Sequence, residues 1–297
     1  MSEDCTVRAR FFEPPIGLRR YFTTFYLTEV EVADGAEVVD WLQPEWGGLR
    51  IAEGLLPAAQ LGDRPELPPT RFTAQGPTSC SVRFAARSFR MWGVGILPLG
   101  WAKFVTVPAH DLADTLVDGD IHPAFAPFRP LAASLFGASP DPEAEFSRIA
   151  EFFADRAERP VADEAKIVAC HAALIDPEVS TVVEMAERAG LPGYTLERLC
   201  RRHFGFPPQL LLRRQRFMRS LAQFMLDPTH TWIEALDDHY YDQAQFVRDF
   251  HRFMGMAPRD YASRPHPILG AIMRARHAEA GAAVQALHPP RQASGGA

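Results

Sequence analysis

The chain has 297 residues, 47% of them hydrophobic, and a formal charge of −6 at neutral pH. That length allows two ordinary domains with real cores. There is no apolar run of about 18 residues or more, so no membrane span is expected. The N-terminus, MSEDCTVRARFFEPP, lacks the apolar core of a signal peptide, and a cytoplasmic protein is expected. Cys5, Cys80, Cys170 and Cys200 stand singly, with no CxxC pair. That spacing reads as free core thiols, with neither a zinc site nor a disulfide framework.

Residues 1–155 read as a β-rich domain with trailing helices. RRYFTTFYLTEVEV (19–32) is aromatic and β-branched with partial alternation, and GGLRIAEGLL (47–56) predicts a second strand. PAAQLGDRPELPPT (57–70) reads as a loop. The stretch 79–107 predicts about three more strands broken by Gly and Pro. Short strands at irregular spacing suggest a small barrel or sandwich. From Asp111 the character changes: HDLADTLVDGD and FRPLAASLF read as helical, as does 140–159. The segment 155–163 is a candidate junction, and 161–265 reads as helix throughout. There Thr181 and Glu184 predict a capping box with Gly190 as the stop. Thr231 and Glu234 predict a second box, and Asp242 a third N-cap. The tail 278–297 is rich in small residues, Pro and Gly, and disorder is expected there.

Charge divides the chain. Residues 1–160 hold 15 Lys and Arg against 22 Asp and Glu, giving 15 − 22 = −7. Residues 161–297 hold 16 against 15, giving +1. Within 188–219, eight arginines face one acid, Glu197. Such a patch in an acidic chain fits either a solvated helical face or a negatively charged partner.

A 50-residue shift exposes a repeat. Leu196 falls on Phe246, Arg198 on Arg248, Cys200 on Phe250, Arg202 on Arg252, Phe204 on Met254, Gly205 on Gly255 and Pro208 on Pro258. Each copy places an apolar stripe on one helix face and polar residues opposite. In the first copy Leu196, Leu199, Cys200, His203 and Phe204 point inward; His203 reads as a core histidine. In the second, Phe246, Val247, Phe250, Phe253 and Met254 do so. A short helix and a tight turn precede each. This is the pattern of a helix-turn-helix, whose second helix enters the DNA major groove. An all-α bundle with no nucleic-acid partner is the competing reading.

The region from about Glu164 to Ser263 resembles the DNA-binding domain of AraC/XylS-type transcriptional regulators. The resemblance rests on HYYDQAQFVRDFHRFMGMAPRDY, through Tyr240, Asp242, Gln243, Phe246, Arg248, Phe250, Gly255, Pro258 and Tyr261. The first unit matches through Ala186, Gly190, Leu196, Arg198, Leu199, Phe204, Gly205 and Pro208, and RRQRFMRSL resembles the family's connecting helix. The sequence departs from the pattern at His239, where Gly is usual, and at Pro192, where a Ser N-cap is usual. Asp237 and Asp238 also place two acids near the second turn. The resemblance implies an α+β chain: a β-rich front domain, compatible with a cupin-like barrel, then an all-α domain with two helix-turn-helix units. It implies a sequence-specific regulator of double-stranded DNA with no cofactor. Tyr194, Arg198, Arg201 and Arg202 are the expected base-reading residues of the first unit, and Gln243, Gln245, Arg248 and Arg252 of the second. Arg213, Arg214 and Arg216 are expected to position phosphate or to serve structure.

The front domain is a candidate for binding a small-molecule effector or for homodimerisation. Phe22, Phe25, Trp41, Trp46, Trp92 and Trp101 fit either a core or an apolar ligand pocket. His110 and His122 with Asp111, Asp114, Asp118 and Asp120 match no standard metal spacing, so no metal site is assigned. Two rivals to the regulator remain. One is a helical interaction module that has lost DNA binding. The other is an enzyme using Cys5 or Cys80 with His110 or His122, although GxSxG, HExxH and P-loop patterns are missing.

Overall fold

The computed structural model describes residues 5–227, 232, 234–281 and 283–290. Nine strands build the first part: β1 (Cys5–Phe12), β2 (Phe22–Val32), β3 (Val38–Leu42), β4 (Gly47–Leu56), β5 (Ala59–Leu61), β6 (Thr70–Gln75), β7 (Val82–Ala86), β8 (Phe89–Ile96) and β9 (Leu116–Asp118). They form a six-stranded sheet of order β1-β2-β8-β4-β6-β9 and a three-stranded sheet of order β3-β7-β5. Every pairing is antiparallel. The sheets do not close into the barrel expected from the resemblance, since β1 and β9 end the larger sheet unpaired with each other.

Among the described residues ten helices follow or interrupt the strands: α1 (Pro98–Phe104), α2 (Arg129–Ser134), α3 (Pro142–Ala154), α4 (Glu164–Ile175), α5 (Val182–Ala189), α6 (Gly193–Phe204), α7 (Pro208–Leu226), α8 (Gln243–Met254), α9 (Pro258–Ala262) and α10 (Pro267–Ala280). Several expectations need correction. The third strand foreseen within 79–107 is α1; Pro98 sits in its first turn, where a missing N–H costs nothing. The helix foreseen after Asp111 is a 3-10 turn, Ala109–Leu112, followed by β9. Asp114 turns away from any helix and accepts from Ser79 N at 2.5 Å and Ser79 Oγ at 2.8 Å. Asp120 pairs with Arg71. The loop expected at 57–70 contains β5.

One continuous core joins the two halves. It runs from Phe22, Phe25 and Trp92 between sheet and α3, through Trp46 and Trp101, to Leu196, Phe204 and Leu211 of the helical part. Each fully buried side chain of this size contributes roughly 1.5–3 kcal/mol. The six aromatics singled out in the sequence are all core residues, five in this cluster and Trp41 in a second one around Phe217 and Phe250.

The seam between halves carries buried charge. Arg214 of α7 is fully buried. It donates to Thr78 O at 2.9 Å and to Glu45 O at 3.3 Å, and its guanidinium lies 4.2 Å over the Trp46 ring. Burial pushes it down to about 9. It is therefore a structural residue with no access to phosphate.

Where disorder was expected in the tail, the described residues 278–281 and 283–290 are ordered. Residues 278–280 finish α10, and Gln285–Leu287 form a 3-10 turn with Ala283, Val284 and Ala286 buried. Residues 291–297 lie outside the described residues. This C-terminal segment returns to the β region. Asp40 of β3, fully buried, accepts from Ile268 N at 3.1 Å and Leu269 N at 2.8 Å, so it caps α10 from more than 220 residues away. Asp40 Oδ1 also lies 3.0 Å from His266 Nδ1. At the far end Glu279 accepts from Phe11 N at 2.8 Å.

Asp40→Ala leaves two orphan donors at a buried helix start. It should lower the unfolding free energy by about 2–3 kcal/mol in a denaturant titration, with amide exchange accelerated in α10. Unchanged stability would show that α10 is held by its apolar contacts alone.

Candidate nucleic-acid interface

The first unit is α5, a turn and α6. Thr181 accepts from Glu184 N at 3.2 Å while the Glu184 carboxylate accepts from Thr181 N at 3.0 Å, so the predicted capping box is formed. Gly190 ends α5 at φ 65°, in the left-handed region that glycine reaches without strain. Pro192 precedes α6 without any side-chain cap. The buried face of α6 is Leu196, Leu199, Cys200, His203 and Phe204, the predicted stripe. Tyr194, 81% exposed, stands on the other side with exposed Arg198, Arg201 and Arg202. Arg201 is tied to Glu197 at 2.8 Å. Arg198 and Arg202 have no ion-pair partner among the described residues. The C-terminal end of α6 rests on the β region: a Cβ on Gly205 would lie 3.0 Å from Pro77 Cγ and 3.4 Å from Ala109 O.

The second unit is less regular. Thr231 lies outside the described residues, so the second capping box does too. The described residues from Trp232 to His239 are turns and irregular chain where a helix was expected. Asp237 explains part of this. It pairs with Arg219 of α7 and with His239 Nδ1 at 3.1 Å, and its own N–H donates to Ser220 Oγ at 2.9 Å. The turn is thus pinned to α7 through side chains. The Asp237 carboxylate is spent inside the unit and lies below the usual carboxylate range because Arg219 donates to it. Then α8 begins at Asp242, which accepts from Gln245 N at 2.6 Å.

On α8 the buried face is Phe246, Asp249, Phe250, Phe253 and Met254. Asp249 is the residue that apolar periodicity missed. It has no solvent exposure and holds Arg213, Arg216 (3.1 Å) and the Tyr240 hydroxyl (3.1 Å). The RD pair at 248–249, one side out and one side in, was the available signal. Arg213 and Arg216 are therefore first of all counterions to Asp249. Gln243, Arg248 and Arg252 are exposed. Gln245 is half-buried, and its side-chain carbonyl accepts from Tyr241 N at 3.1 Å, leaving its amide N–H groups as donors.

These residues are not one cluster. Gln245, Arg248 and Arg252 of α8 line a cleft of about 730 Å³ with Arg213, Arg216 and Arg219 of α7 and Ser180 and Thr181 at the start of α5. That adds Arg219 to the residues on this surface. Arg202 borders a smaller cleft, with Arg159 and Val161 of the junction. The cleft between units is lined by cationic side chains of α7 and α8, while the start of α5 at its edge is closed by its own capping box.

Residues 185–264 match a family model described as a helix-turn-helix domain. This region is a helix-turn-helix domain of the AraC type. Two solved structures are similar in outline. One is the apo form of a lysine-to-alanine variant of ToxT from Vibrio cholerae, with 10% identity and a TM-score of 0.40, covering 88% of this chain and 97% of that one. The other is the AraC-like transcriptional activator CuxR, with 14% identity and a TM-score of 0.26, covering 73% and 87%. No curated protein matches the chain.

The thiols considered as nucleophiles are poorly suited to the task. Burial and the neighbouring Asp114 push Cys80 up to about 12, and burial raises Cys5. A nucleophilic cysteine needs the opposite shift. Among the described residues no helix is long and apolar enough to cross a membrane.

Two predictions concern the frame of this surface. Asp249→Asn removes the one negative charge that Arg213 and Arg216 share in a buried site and should cost roughly 3–5 kcal/mol. The cost should appear as loss of the second unit's amide protection before the first's. The second prediction is of acid sensitivity. Burial lowers His171 to about 3, and burial together with Arg202 lowers His203 to about 4. A histidine depressed in the folded state takes up its proton on unfolding. Its stabilisation is whole above the unfolded value near 6.5 and is lost as pH falls toward 4 and 3. Each imidazole should contribute a slope on the order of 1.4 kcal/mol per pH unit below 6.5. His171→Gln should flatten that slope between pH 6.5 and 5; an unaltered slope would place the titration elsewhere.

Proposed function

We propose that the chain is a sequence-specific, DNA-binding transcriptional regulator whose α6 and α8 enter two neighbouring segments of the major groove. The observation that carries this reading is the repeated division of α6 and α8. Each buries a largely apolar face and carries on the other arginines without ion-pair partners among the described residues: Arg198 and Arg202, then Arg248 and Arg252. Arginine can donate two hydrogen bonds to guanine O6 and N7, and glutamine can pair with adenine N6 and N7. Tyr194, Arg198, Arg201 and Arg202 serve the first segment. Gln243, Gln245, Arg248 and Arg252 serve the second. Arg213, Arg216 and Arg219 contribute positive potential to the cleft between units, where a phosphate backbone would cross; this gives affinity without sequence information. The β region is proposed to bind a small-molecule effector or to mediate homodimerisation.

The test is selection of sites from random DNA by the full chain, followed by affinity for the winner across salt concentrations. Two enriched blocks about one helical turn (~34 Å) apart are expected. Arg198→Ala should cost roughly 1–3 kcal/mol on the selected site and relax preference within one block, and Arg248→Ala should do the same in the other. Equal weakening on all sequences would remove the base-reading role. No enrichment and no salt dependence would favour the interaction-module reading.

A further inference from the structure

Two glutamines open α8, and their surroundings set them apart. Asp242 caps the helix and accepts from the backbone N–H of Gln245 at 2.6 Å. The Gln245 side chain folds back across the turn, where its Oε1 accepts from Tyr241 N at 3.1 Å. A backbone N–H can only donate, so the amide atom that faces it is the oxygen and not the nitrogen. Nε2 is left with two N–H donors and no acceptor among the described residues. It borders the cleft with Arg248 and Arg252, one and two turns further along the same helix face. Gln243, at the first helical position, is exposed, and its side chain makes no hydrogen bond among the described residues. It keeps both a free carbonyl and a free amide.

Pairing with adenine needs a carbonyl to accept from N6 and an amide to donate to N7. Gln243 supplies both. Gln245 supplies both only by giving up its bond to Tyr241. We propose that Gln245 reads guanine, the two N–H of Nε2 donating to O6 and N7 as the single nitrogen of a lysine does. This inference rests on the regulator reading above. With Arg248 and Arg252, Gln245 makes the outward side of α8 a row of donors that lacks an acceptor. The second block of the DNA site is therefore rich in guanine on one strand, and adenine enters only opposite Gln243. The clasp lies at the surface, beside a Tyr241 side chain that is 94% exposed. Water partly replaces it when it opens, so a roughly 5-fold preference for guanine over adenine follows.

The test is site selection from random DNA by the full chain and its Gln245 variants, read as base preference and not as affinity. Gln245→Ala should flatten the preference at one G·C pair of the second block by roughly 5-fold. The other preferences of that block should persist, which shows that α8 is still folded. Gln245→Lys keeps a donating nitrogen without an acceptor and should hold G·C at that pair. Gln245→Glu offers acceptors alone and should lose it. Gln243→Ala should flatten an A·T pair. In the free chain, amide exchange at Tyr241 should be faster in Gln245→Ala than in the wild type; equal exchange removes the clasp and overturns the proposal. So does an A·T pair flattened by Gln245→Ala, a G·C pair kept by Gln245→Glu and lost by Gln245→Lys, or an equal loss on every sequence. Any of these in a chain that still selects two blocks leaves the regulator reading standing. A wild-type chain that selects no DNA overturns both.

Discussion

A guanidinium buried at the seam organises the molecule. Arg214 lies on the helix that links the two helix-turn-helix units, yet its hydrogen bonds go to carbonyls of the β region and its face rests on Trp46. Nη1 finds both of those acceptors, while Nε and Nη2 have no partner among the described residues. These contacts hold the connecting helix in its rotational setting against the sheet. That setting turns Arg213 and Arg216 toward Asp249, and Arg219 toward Asp237. The direction in which α8 presents Arg248 and Arg252 follows from the same constraint.

Much of this was legible in the sequence, for a physical reason. A helix that buries one face repeats its apolar residues at 3.6, and glycine must end it where φ becomes positive. The pair Leu196–Phe204 and Phe246–Met254 thus announced both α6 and α8, with Gly205 and Gly255 as stops. The resemblance to the AraC type then pointed to the function. The β region was harder. β2 and β4 are buried on both faces for much of their length, so alternation was weak. The arginine cluster misled in part, because composition cannot separate a solvent-facing arginine from one that neutralises a buried aspartate. Arg214 and Asp249 could be told apart from their neighbours only by three-dimensional partners.

The C-terminal segment was the largest gap. Its small residues and prolines look like those of a solvated tail. Its order depends on Asp40, on Phe11 and on Gln215, which donates to Ala286 O at 2.8 Å. Those partners are supplied by distant parts of the chain, and no local pattern encodes them. The second helix-turn-helix unit shows the same limit: its first element is held by Arg219 and Ser220 in place of a regular helix.

The clasp between Phe11 and Glu279 bears on how the protein is made. Strand β1 waits for a helix that lies 268 residues further along the chain, and the space between the sheets has no cover until α10 emerges. Loop closure over such a span carries an entropic cost before any contact offsets it. For most of its synthesis the β region thus exposes an apolar mouth to the cell. Anything that stops translation short of α10 yields a sheet with an open interior.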